Sequence, residues 1–78
     1  MNLTGTPATL TYRVELQRLT TELREQWNIG GHNDRWHFLC EIVKVGRTVA
    51  SSRIVACFDT GFNAKEFASR TEMELYEW

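Results

Sequence analysis

The sequence has one proline, two cysteines and no surplus of positive charge, and each shortage removes a class of protein. With 42% hydrophobic and 24% charged residues around that single proline, neither a collagen-like nor a disordered chain fits. Two cysteines close at most one disulfide, whereas small secreted domains carry denser frameworks, so free thiols are expected. Nine Lys and Arg against ten Asp and Glu give a net charge of -1, so any nucleic-acid contact would rest on a local patch. No apolar run reaches the length of a bilayer span, and Met1 to Thr11 lacks the basic and apolar runs of a leader. A cytoplasmic protein without a membrane partner is the expectation. Glycine-rich phosphate loops and nucleophile-elbow motifs are missing too, which points away from an enzyme and from a bound cofactor.

What remains is room for one domain. Residues 1–8, which hold the proline, read as a flexible lead-in to a domain over 9–78. A core this small stands near the limit of what apolar burial stabilises, so a homodimer or a bound partner is expected to contribute. Leu10, Tyr12, Val14 and Leu16 alternate with Thr11, Arg13, Glu15 and Gln17, the period of a half-buried strand. A helical stripe (Tyr12, Leu16, Leu19, Leu23) competes for the same stretch. The reading adopted is a strand to about Leu19, then a short helix capped by Thr20 or Thr21 and reaching about Trp27. Asn28 to Asp34, with Gly30-Gly31, is a loop.

Residues 36–58 form the clearest hairpin signal, with Gly46-Arg47 as a two-residue turn that places glycine first. In that register opposed residue numbers add to 93, so Phe38 faces Val55 and Cys40 faces Arg53. One face then carries Trp36, Phe38, Cys40, Ile42, Val55 and Cys57. The other mixes His37, Leu39, Glu41 and Val43 with Ile54 and Ala56, and is a candidate partner surface. Asn63 with Glu66, and Phe62 with Phe67, make a capping pair and a hydrophobic staple that open a helix over 63–78. Its stripe, Ala64, Phe67, Ala68, Thr71, Leu75 and Trp78, would cover the apolar sheet face. The expected fold is α+β, an antiparallel sheet of about three strands under a C-terminal helix.

Zinc-type ligands exist in His32, His37, Cys40 and Cys57, but His37 and Cys40 point to opposite faces of a strand. At roughly 3.3 Å per residue, about 13 Å would separate the two cysteines, so neither a metal nor a disulfide is expected. The same spacing parts His37 from Glu41 and removes an acid-base pair. Charge is unevenly spread. Residues 34–58 net +2, while 59–78 hold five acids against two bases. Glu72, Glu74 and Glu77 would gather at a helix C-terminus, where acids weaken the helix, so they are candidates for contact with a basic protein partner. His37, Leu39 and Glu41 on the mixed face join them.

Residues 30–78 resemble the corresponding part of a double-stranded-RNA-binding domain. The loop Gly31-His32-Asn33-Asp34-Arg35, the hairpin, and Asn63-Ala64-Lys65-Glu66-Phe67 at a helix start carry the likeness. The resemblance implies an α-β-β-β-α order, a loop His32 in the minor groove and Lys65 on phosphates, with Lys44 and Arg47 at the hairpin tip as further basic candidates. The basic cluster at the helix start is reduced to Lys65, and members of that family which lose it serve in protein contacts. The leading expectation is therefore a non-enzymatic protein-interaction module. It is similar in format to phage-encoded inhibitors such as anti-CRISPR proteins, acting on a basic or nucleic-acid-handling partner. The alternative is RNA binding.

Overall fold

The computed structural model describes residues 7–59 and 61–77. Six elements follow in order: β1 (Ala8–Arg18), α1 (Thr21–Trp27), β2 (Arg35–Val45), β3 (Thr48–Phe58), α2 (Ala64–Thr71) and β4 (Glu74–Tyr76). The sheet order is β3-β2-β1-β4. The class is α+β, with four strands in a mixed sheet where three antiparallel ones were expected. Most of the proposed lead-in, residues 1–6, lies outside the described residues, and Ala8 already belongs to β1.

β1 and β2 pair antiparallel over eleven residues in one unbroken register, from Ala8 opposite Val45 to Arg18 opposite Arg35. Between them the chain makes α1. Thr20 caps it, its hydroxyl accepting from the Leu23 N–H at 3.2 Å. Asn28 ends it in the left-handed region at φ 53, with the Ile29 N–H returning to the Arg24 carbonyl at 2.9 Å. The loop is then closed by the Leu19 N–H on the Asp34 carbonyl at 2.7 Å. At the hairpin turn Gly46 takes φ 63, a value that glycine accepts without a Cβ clash.

The hairpin elements agree with expectation, but the register does not. The pairing adds to 93 only at the tip, with Val45 opposite Thr48 and Lys44 opposite Val49. Irregularities between Val43 and Lys44 and between Leu39 and Cys40 each give β3 one extra residue, Ala50 and then Val55. Arg53 consequently faces Glu41, not Cys40, and Ile54 moves onto the face of Cys40.

α2 begins as the sequence reads, with the Asn63 side chain accepting from the Glu66 N–H at 3.0 Å and the Phe62 and Phe67 rings 5.3 Å apart. It stops early. Glu72 adopts φ 57 as the cap, and Met73 donates back to the Ala68 carbonyl at 2.9 Å. The chain then lays β4 parallel to β1, setting Leu75 beside the fully buried Val14. The expected helix to residue 78 is thus corrected: the left-handed cap at Glu72 ends it, and pairing with β1 half-buries Leu75 at the sheet edge. Trp78, the last residue of the expected stripe, lies outside the described residues.

The helices take opposite faces. Leu23, Trp27 and Ile29 pack against Leu19, Phe38 and Cys40, so α1 and its loop cover the apolar face that α2 was expected to cover. α2 covers the mixed face, where Phe58 stacks on Phe62 at 4.0 Å and meets Phe67 at 5.5 Å. Both helices sit at one end of the strands. The molecule measures 52 × 29 × 18 Å with a radius of gyration of 14.9 Å, against about 11.5 Å for a compact chain of this length. The excess is a three-stranded arm formed by the start of β1 and the two hairpin strands near their turn, where Thr48 to Arg53 are all exposed.

Candidate interaction surface

The mixed sheet face divides in two. At the helical end His37 is engaged: its Nε2 lies 2.7 Å from a Glu77 carboxylate oxygen, and its ring meets Phe62 edge-on at 5.8 Å. Leu39, half-buried, sits between Val14 and Ala56. Through these contacts His37 ties Glu77 and Phe62 to the sheet. Glu41, two positions on, marks the border. It accepts from the Arg53 guanidinium at 2.8 Å and from the Tyr12 hydroxyl at 3.3 Å, and Arg53 holds its carboxyl below the usual carboxylate range.

Beyond that border the face is bare. Leu10 is 57% exposed, Tyr12 36% and Val45 41%. Register places all three, with Val43 opposite Leu10, on the same side of the arm. Scattered apolar exposure is ordinary, but a contiguous set on a flat sheet marks a contact surface. Sequence reasoning assigned Leu10 and Tyr12 to a buried face, because alternation reports the period of a strand and not whether anything covers it.

The acidic candidates do not share a helix end. Glu72 is the exposed cap of α2, Glu74 stands in β4 opposite Arg13, and Glu77 follows β4. Glu74 also accepts from the Tyr76 hydroxyl at 3.0 Å. β4 therefore brings Glu74 beside Arg13, on the face opposite to Leu10, Tyr12 and Val45, a placement the helical reading could not yield. The basic candidates are divided. Lys44 and Arg47 lie at the hairpin tip, whereas exposed His32 and Lys65 lie at the helical end. From Arg35 to Lys44 the strand alone extends about 30 Å at roughly 3.3 Å per residue, so the four form no single patch.

The opposite face holds a polar cluster where the sequence suggested a solvated row. Glu15 is 6% exposed, and it accepts from Arg13 at 2.5 Å and from the Gln17 amide at 2.7 Å. The Arg13 guanidinium also lies over the Tyr76 ring, 4.3 Å from its centre. Gln17 and Cys40 border an open cleft with Gln26, Ser52, Arg53 and Ile54. Burial, reinforced by the charge of Glu15, pushes the Cys40 thiol up to about 11. A thiol so protonated at neutral pH is a poor nucleophile. Cys57 is also a free thiol, opposite Phe38, only two residues along from Cys40 on the same face. Among the described residues no three metal-ligating side chains cluster, and no helix is long and apolar enough to cross a membrane. No protein-family model, curated protein or solved structure matches the chain.

Proposed function

We propose that this protein is a small non-enzymatic protein-interaction module that engages its partner through the bare half of the mixed sheet face. The observation that carries this reading is the exposed set Leu10, Tyr12 and Val45 on one side of an arm that, among the described residues, no helix covers. The partner is a protein that buries those side chains and carries basic groups, since residues 59–78 hold five acids against two bases. Inhibition of a basic or nucleic-acid-handling protein fits that description. His37 and Glu77 change role in this reading, since they bond to each other across the packed end of the face, while Glu72 stays an exposed acid and Glu74 lies on the opposite face beside Arg13.

The test is capture by tagged protein from its native lysate, with and without ribonuclease. A stoichiometric protein that survives ribonuclease, and is lost on Tyr12→Lys but kept on Lys65→Glu, is the expected result. Recovery of duplex RNA that Arg47→Glu and Lys65→Glu abolish would instead establish the alternative, RNA binding through His32, Lys44, Arg47 and Lys65.

A further inference from the structure

The sheet has two outer edges, and they differ. β3 is one outer strand, over Thr48 to Phe58, but the extra residues Ala50 and Val55 interrupt its regular spacing twice and it carries the charged Arg53. Bulges and charges of this kind are how an edge strand is kept from pairing. On the other side β4 pairs only with Arg13, Val14 and Glu15, so among the described residues nothing pairs with the outer edge of Ala8 to Tyr12. That segment is regular, with no break in its register to β2. It also carries no charge: Ala-Thr-Leu-Thr-Tyr.

We infer that the outer edge of β1 over Ala8 to Tyr12 pairs antiparallel with the same segment of a second copy, joining two four-stranded sheets into one. This rests on the interaction reading above and adds to it, because the pairing would set the two bare faces side by side. Self-complementarity selects a second copy over another extended peptide. A twofold axis at Leu10 places Leu10 against its own equivalent, Ala8 against Tyr12 and Thr9 against Thr11. One side then holds only apolar and aromatic pairs and the other only threonine pairs, combinations that stabilise adjacent strands. The ends match as well. The next pair would set Pro7 against Arg13, where β4 already occupies the edge and proline has no N–H to donate. Five residues are thus free to pair and five pair. The exposed Leu10 and Tyr12, which extend the apolar set across the axis, are then shared by both copies.

Sedimentation or light scattering of the pure full chain tests this without any partner protein, so its outcome is separate from that of lysate capture. The wild type is expected at twice the 9.1 kDa chain mass, with dissociation on dilution. Leu10→Glu and Leu10→Lys each put like charges across the axis and are expected to sediment as single chains, while an equimolar mixture of the two returns to the doubled mass. That restoration shows the variants are folded and fixes the register. Val49→Glu, at the tip on the other face, is expected to leave the mass doubled. A wild type that stays at one chain mass at its highest soluble concentration overturns the inference. So does a doubled mass that survives both Leu10 substitutions, or a mixture that stays monomeric.

Discussion

The two ends of the same three strands are built from similar residues and end up with opposite tasks. At the helical end Phe38 is fully buried beneath α1, while α2 covers the other face over Phe58. At the turn end the pairing of β1 with β2 continues in the same register, yet Leu10, Val45 and Val49 stand in solvent. Hydrogen-bonded pairing therefore extends well beyond the core that stabilises it. Backbone pairing alone leaves a hairpin marginal in water, and here the third strand and the buried end supply the support. Apolar side chains held at that exposed end contribute little to folding, and this is why contact with another protein is the role proposed for them.

Breaking the covered end has the largest consequence. Phe38→Ala empties a fully buried site and is expected to cost about 3–5 kcal/mol, enough to abolish cooperative folding of so small a domain. Val49→Ala at the tip is expected to change urea-unfolding stability by less than about 0.5 kcal/mol. Equal losses from the two substitutions would remove the distinction between the ends. Loss of the α2 cap by Asn63→Ala is intermediate, about 1 kcal/mol in the same measurement.

Titration sharpens the comparison further. Cys40, beneath the polar cluster, holds its proton up to about 11 against an ordinary 9.0, because burial and the Glu15 charge disfavour its thiolate. Its folded state binds the proton more tightly than the unfolded state, so this contribution is full below 9.0 and is lost as pH rises toward 11. Alkylation at pH 8 should correspondingly modify Cys57 well before Cys40 in the folded protein. Glu41, at the border of the arm, has the opposite sign. Its carboxyl, lowered by Arg53, favours the folded state above the ordinary carboxylate range and ceases to do so as pH falls through the lowered value. Nuclear magnetic resonance titration should place Glu41 below the ordinary range in the wild type and nearer to it in Arg53→Ala. This last effect is the smallest, because the pair is solvent-screened.

How far the sequence foretold this follows from the range of each interaction. Thr20 and Asn63 bond to N–H groups three residues away, and Phe62 meets Phe67 within one helix start, so these signals were legible. The strands over 8–18, 35–45 and 48–58 were legible for the same reason, since alternation and a glycine turn are local. The register of the hairpin was not, because extra residues at Ala50 and Val55 leave no mark in composition. β4 was hidden by a choice between periods. Glu72-Met-Glu-Leu alternates as a strand, but its acids and leucine also suit a helix, and only pairing of Leu75 with Val14, far back in the chain, decides between them. Which helix covers which face is likewise set by packing across the sheet. That is why the sequence did not show His37 bonded to Glu77, while Leu10, Tyr12 and Val45, absent from the sequence-based candidates, form the exposed set.

The most direct test of the arm as the binding surface compares two full-length variants in ribonuclease-treated lysate. One is Tyr12→Lys with Val45→Lys; the other is His37→Gln, which alters only the seam that holds the C-terminal segment. With thermal unfolding midpoints of both near that of the wild type, the account predicts that the arm variant loses the captured protein and the seam variant keeps it. Retention of that protein by the arm variant at wild-type stoichiometry, together with its loss on Glu72→Lys with Glu74→Lys, would contradict the account and return the binding site to the acidic C-terminal segment.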